Sequence, residues 1–215
     1  MYISMEQCIQ ANGGRPFRGV IHIGGHKAEE AEAYAKAGVK NVIWIEANSN
    51  LMKHIYENAR KFPINSKYFC AVMSDTDNEE VQLNIANNGQ SSSILELSTH
   101  KDLHPHVHYV DKIKTRTKRF ETLWRENVAD INLDLYDFIN LDIQGAELKA
   151  LKGFGNIFEL TDIRAVYSEI NFEEVYKGCA LAEQLDNFLD SKGFHRVLTS
   201  GELEAWQDAL YIKQK

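Results

Sequence analysis

Three cysteines in 215 residues, Cys8, Cys70 and Cys179, are widely spaced, odd in number and without a CxxC pair. A disulfide framework and a dithiol or zinc motif therefore have no support, and reduced thiols packed in a cytosolic domain are expected. Only three prolines occur, with no repeat and no low-complexity tract. No linker divides the chain, so one domain over residues 1–215 is expected. Apolar runs are short; residues 42–45 are typical, far below the roughly 20 a membrane-spanning helix needs. The amino-terminal stretch lacks a basic segment leading into an apolar one, and a soluble cytoplasmic protein without a membrane span is expected. Basic residues are outnumbered, 24 Lys and Arg against 31 Asp and Glu for a net charge of −7. This argues against a protein that gains affinity by neutralising a nucleic-acid backbone, and no nucleic-acid partner is expected. The one basic run, residues 112–119, alternates with Ile113, Thr115 and Thr117 and reads as a solvated strand face.

At 44% hydrophobic and 26% charged, the remainder is the composition of a globular chain long enough to bury a core. From Gly19 onward, short apolar runs alternate with amphipathic segments, as in a parallel sheet covered by helices on both faces. Strands are expected at residues 20–23, 42–45, 68–72, 136–141 and 163–168. Helices are expected at 28–37, from Asn48 or Ser49 through Arg60, from about Glu147 to Gly153, and at 181–191. Residues 194–198 and 209–213 lie too close for a helical crossover and should pair as an antiparallel hairpin at the sheet edge. Between these halves, residues 73–125 read as an insertion that shapes a substrate site. It holds strands at 81–86 and 112–120 and a polar turn at 87–93.

Open α/β sheets bind ligands beyond the carboxyl ends of their strands. Gly24-Gly25 ends the first strand, where the lack of side chains lets backbone approach a ligand. Glu46 ends the second, 22 residues after Gly24, matching the spacing from a glycine turn to a ribose-binding acid. No third glycine completes GxGxxG, since His26, Lys27, Ala28 and Glu29 follow. A pyrophosphate site is thus disfavoured, and an adenosine ligand without phosphates, such as S-adenosylmethionine, fits better. The plainer alternative is an ordinary strand-to-helix turn beside a solvated acid.

The runs Val20-Ile-His-Ile-Gly-Gly-His, Val42-Ile-Trp-Ile-Glu-Ala-Asn, Gly89-Gln-Ser-Ser-Ser-Ile-Leu and, most specifically, Asp142-Ile-Gln-Gly-Ala-Glu147 resemble the FkbM-type methyltransferases over residues 19–171. The resemblance implies a Rossmann-like class I methyltransferase fold: an α/β three-layer sandwich with a mostly parallel seven-stranded sheet and an antiparallel edge strand. It also implies S-adenosylmethionine as cofactor and methylation of a hydroxyl on a sugar, surface-polysaccharide precursor or secondary metabolite. Two positions depart from the family pattern. His22 stands where an acid is common, which removes charge attraction to the methionine ammonium. Gln144 replaces a second acid and makes a poor base.

Cofactor contacts are expected from His22, Gly24, Gly25, the turn Glu46-Ala47-Asn48, Ala71 and Val72 beside the adenine, Ser92, and Asp142. Methyl transfer needs an in-line acceptor oxygen and a way to take its proton. Asp142, at the end of the central strand, is the first candidate; capping the next helix is its plainer role. Glu169, ending the following strand, and His26, just past the glycine turn, are further candidates. Glu147 can either cap the loop amides or contact the acceptor. If Asp142 and Glu169 converge, their hard oxygens would suit a divalent cation such as magnesium. His100, His104, His106 and His108 form one dense segment, three of which would share a face of an extended chain, although a solvated loop or substrate lid is the commoner use. Two alternatives stay open: a nicotinamide-dependent oxidoreductase, and a methyltransferase-like binding module without turnover.

Overall fold

The computed structural model describes residues 1–200 and 205–214. The chain begins with α1 (Met5–Ala11), where Ser4 and Gln7 form a reciprocal capping box. Then follow β1 (Gly19–Ile23), α2 (Ala31–Lys36), β2 (Asn41–Glu46), α3 (Met52–Ala59) and β3 (Asn65–Cys70). A middle segment carries β4 (Val72–Met73), β5 (Glu80–Ala86), α4 (His100–Leu103), β6 (Tyr109–Lys118) and α5 (Phe120–Glu126). The remainder is β7 (Phe138–Leu141), α6 (Glu147–Lys152), α7 (Ile157–Leu160), β8 (Ala165–Asn171), α8 (Ala182–Ser191), β9 (Phe194–Thr199) and β10 (Trp206–Lys213).

Seven strands form one sheet in the order β3-β2-β1-β7-β8-β10-β9. The pairs among β3, β2, β1, β7 and β8 are parallel. The expected hairpin closes the far edge: β10 runs antiparallel to both β8 and β9. Alternation of side chains splits the strand residues between two cores. Ile21, Ile23, Ile43, Ile45, Ile139 and Leu141 pack with residues of α5, α6, α7 and α8. Val20, Val42, Trp44 and Phe138 pack with α1, α2 and α3 on the opposite face. The central strands are buried on both faces, as a sheet layered between helices requires.

Several boundaries differ from the sequence reading. The third strand ends at Cys70, and Val72 instead starts a separate three-stranded sheet, β4-β6-β5, pairing with Thr117. Phe120, placed in a strand by alternation, opens α5, where its ring stacks on Phe154 at 4.3 Å. β8 continues past Ser168 to Asn171 because β10 pairs with it along its whole length, so Glu169 lies inside a strand. α1 precedes the region where the sequence pattern was readable. No helix among the described residues is long and apolar enough to cross a membrane.

Candidate active site

The carboxyl ends of β1, β2, β7 and β8, with the start of β10, surround a cavity of about 420 Å³. β1 and β2 bring Gly24 and Glu46 to the same wall, and β7 and β8 bring Asp142 and Glu169.

The turn after β1 is bound to β2: Gly24 N and Gly25 N both donate to Ile45 O, at 2.9 and 3.0 Å. Gly24 has φ +90°, and a Cβ there would lie 1.9 Å from the Asp142 carbonyl oxygen. Glycine is therefore required by the close approach of the β1 and β7 exits, independently of any ligand. Gly25 does not line the cavity; a Cβ on it would meet Ile55 and Trp44 at 3.4 Å, in the core below. His22 also lies outside the cavity. At 2% exposure its ring packs 5.0 Å from Trp44, and Nδ1 meets the Tyr34 hydroxyl at 3.0 Å. Burial lowers its pKa, leaving a neutral core imidazole, because an even-numbered β1 residue points into the helical layer rather than past the strand end.

Glu46, 9% exposed, faces the cavity while tying two loops together. Its Oε2 accepts from His26 N at 2.9 Å and its Oε1 from Asn48 N at 2.7 Å. Burial raises its pKa, and these amide bonds oppose the rise. Each oxygen keeps acceptor capacity for a further donor. Ala47, Asn48, Ala71 and Val72 continue the same wall. The Ala71 amide is committed to Glu46 O at 3.0 Å and is not free to donate to an adenine edge. Asn48 Oδ1 accepts from Asn50 N at 3.1 Å, capping the turn before α3. Ser92 lines the cavity, but its hydroxyl is used within the loop: it donates to Gly89 O at 2.7 Å and accepts from Ala86 N at 3.1 Å.

His26, also on the wall, holds φ +40°, a strained value for a residue with a Cβ. Its Nδ1 lies 2.7 Å from Glu29 Oε1, and its Nε2 is buried without a partner. Glu29, which burial would raise, is held down to about 2 by the His26 ring and by backbone amides, including that of Lys27.

At the β7 exit, Gln144 takes φ +55° and joins the acids. Its Nε2 donates to Asp142 Oδ1 at 2.7 Å and Glu169 Oε2 at 3.2 Å, while the Tyr176 hydroxyl donates to its Oε1. An amide thus stands between the two carboxylates where a cation was considered. Among the described residues, no group of three or more His, Cys, Asp or Glu side chains is placed to hold a metal ion. Asp142 opens to water within the cavity, yet protein surrounds it, and this burial pushes its pKa up to about 6. Burial, then the charge of Asp142, raises Glu169 well above the carboxylate range. Glu147 lies outside the cavity and serves the loop: its Oε1 accepts from Ile143 N at 3.0 Å and Gly145 N at 3.1 Å.

The histidine segment is not an extended strand. Residues 100–103 are helical, so His100, His104 and His106 reach the cavity while His108 does not. Trp206, Asp208, Tyr176 and Glu30 also line it, and the sequence reading missed them. Trp206 and Asp208 become neighbours of Glu169 only through β10–β8 pairing, which no local motif announces. In sum of charge, Glu29, Glu30, Glu46, Asp142, Glu169 and Asp208 contribute six carboxyl groups, and no Lys or Arg side chain lines the cavity among the described residues.

The chain matches the family profile described as the methyltransferase FkbM domain over residues 22–196. No curated protein matches it. Among solved structures, magnesium protoporphyrin IX methyltransferase (ChlM) from Synechocystis PCC 6803 with bound SAM superposes with a TM-score of 0.51 at 13% identity. That match covers 96% of this chain and 74% of the other. TehB from Haemophilus influenzae gives a TM-score of 0.50 at 12% identity, covering 96% and 61%. At these identities the likeness is one of fold. The matched residues span most of the chain, which belongs to the FkbM methyltransferase family and has the class I methyltransferase fold.

Proposed function

We propose that the protein transfers a methyl group from S-adenosylmethionine to a hydroxyl of a small carbohydrate or related metabolite. The observation that carries the reading is that Glu46 and Gly24 share one cavity wall with Asp142, in a chain of the FkbM family. The electrostatics favour the cofactor, since a sulfonium ligand without phosphates suits a wall of six carboxyls without Lys or Arg. The same wall opposes a nicotinamide dinucleotide, whose two phosphates would find carboxyl groups and no Lys or Arg side chain to pair with. ChlM, of the same fold, was solved with SAM bound.

Glu46 would accept the ribose hydroxyls, with Ala47, Asn48, Ala71 and Val72 against the nucleoside and Gly24 and the rim near Ser92 closing over it. When bound, S-adenosylmethionine supplies an electrophilic methyl group that needs no activation by the protein. The chain's own task is to place an acceptor oxygen and take its proton. Asp142 is the base we assign, because a carboxylate raised to about 6 accepts a proton more readily than an ordinary one and is still ionised at neutral pH. Gln144 orients Asp142, and Glu169 contacts the acceptor. His26 sits at the nucleoside turn and holds it through Glu29. Within one domain, residues 73–125 build part of the acceptor wall through His100, His104 and His106.

Incubation with S-adenosylmethionine and a panel of sugars and hydroxylated metabolites, read by mass spectrometry, tests this. The expected result is S-adenosylhomocysteine above background together with an acceptor carrying one added methyl group on oxygen. Methyl on nitrogen, or no turnover across the panel despite cofactor binding, counts against it.

A further inference from the structure

Asp142, Glu169 and Asp208 form a row across three adjacent strands. Asp208 is the register partner of Glu169 in the antiparallel β10–β8 pair, and the pairing Leu141 with Ser168 brings Asp142, the next residue, beside Glu169. Neighbouring strands lie about 4.8 Å apart, and like charges directly opposite each other destabilise a sheet. The row's contacts are neutral donors: Gln144 Nε2 to Asp142 and Glu169, and Tyr2 N (2.9 Å) with the Tyr167 hydroxyl to Asp208. The α-amino group of Met1 pairs with Glu30 at 3.6 Å, and its charge reaches the row only as a minor influence on Asp142. Three acids held this way are a poor structural choice and a good receptor for a positive charge.

Two further observations point to a ligand. Trp206, two residues before Asp208 and on the same strand face, lines the cavity, with His100 stacked at 6.2 Å and an interplanar angle of 17°. An indole beside carboxylates suits an organic cation. His100 is 5% exposed, lies on the same wall and leaves Nδ1 without a hydrogen-bond partner. Burial, then His104, lowers its pKa. The row lies away from the nucleoside end: four strand spacings separate β2 from β10, roughly 19 Å between Glu46 and Asp208.

Resting on the methyltransferase reading above, we propose that the acceptor carries a protonated amino group and neither phosphate nor carboxylate, its ammonium seated between Glu169, Asp208 and the Trp206 ring. An amino-bearing sugar is the matching class. The hydroxyl to be methylated would then face Asp142 at the near end of the row.

The test uses the Trp206 indole N–H resonance, assigned by Trp206→Phe, in titrations with glucosamine, glucose and glucuronate. Each is run with and without S-adenosylhomocysteine, whose own binding is measured by calorimetry on the same sample. The proposal expects a saturable shift with glucosamine, affinity about tenfold or more above glucose, and none with glucuronate. Asp208→Asn should weaken glucosamine by about tenfold while leaving S-adenosylhomocysteine affinity within about twofold of wild type. No saturable shift with glucosamine, a preference below tenfold, or tighter binding of glucuronate overturns the proposal. Absence of the S-adenosylhomocysteine heat refutes the cofactor reading instead, and the two failures are told apart on one sample. An intact cofactor heat in Asp208→Asn also shows that the variant is folded.

Discussion

Asp137, which precedes β7, and Asp142, which follows it, are five residues apart and in opposite surroundings. Asp137 is fully buried and paired: Arg18 Nε and Arg164 Nε each donate to its Oδ2 at 3.0 Å, and Arg18 N donates to Oδ1 at 2.8 Å. Asp142 opens into a cavity with no Lys or Arg side chain among its described lining, beside Glu169, with a glutamine amide as its neutral neighbour. The chain can place arginines against a carboxylate where it needs a sheet end fixed. Their absence at the other end fits the ligand-facing role proposed for Asp142, and on that reading the contrast separates stability from function along one short strand.

Removing the paired acid gives the largest expected effect. Asp137→Ala leaves Arg164 without its carboxylate and Arg18 with Asp162 alone, and should cost about 3–5 kcal/mol, lowering the melting temperature by roughly 10 °C. The cavity residues of whatever protein remains folded should keep their cofactor affinity. Asp142→Asn should do the reverse: the melting temperature holds or rises, while methyl transfer falls by about 10²–10⁴. Equal losses of stability in the two variants would erase the distinction between the ends of β7.

A pH profile sharpens the same contrast. Because Asp142 must be ionised to take a proton, and burial pushes it up to about 6, kcat/KM should rise as pH passes upward through about 6. That limb should vanish in Asp142→Asn. A limb near the ordinary carboxylate range would place the base elsewhere.

Glu147 gives the smallest effect and a check on the sign. It is 3% exposed, and burial raises its pKa. A raised folded-state value means stability is fully present below the unfolded carboxylate value and is lost as pH rises through the folded one. Glu147→Gln mimics the protonated acid and keeps an oxygen for the Ile143 and Gly145 amides. It should melt with wild type at about pH 4 and above it at about pH 8.

Much of this was legible in the sequence for a physical reason: strand exits are local. The run ending at Gly24, the acid at Glu46 and the corner Asp142-Ile-Gln-Gly are each written in a few contiguous residues. What was illegible depends on partners far along the chain. Gly24 is demanded by the Asp142 carbonyl, 118 positions on, and its spacing alone cannot distinguish that from ligand access. His22 looked like part of a ligand loop, but alternation along β1 turns it into the layer with Tyr34 and Trp44. Trp206 and Asp208 enter the cavity through the insertion of β10 between β8 and β9. The reversal at Phe120, from strand alternation to helix, follows from its stacking on Phe154.

The account depends most on Glu46 gripping the sugar of an adenosine from the wall it shares with Gly24. Calorimetry with S-adenosylhomocysteine, on wild type and on Glu46→Ala shown by circular dichroism to be folded, addresses that directly. Loss of the hydrogen bonds to this carboxyl group should weaken binding by at least about tenfold. A wild-type protein that gives no heat, or a variant that binds as tightly, would contradict it.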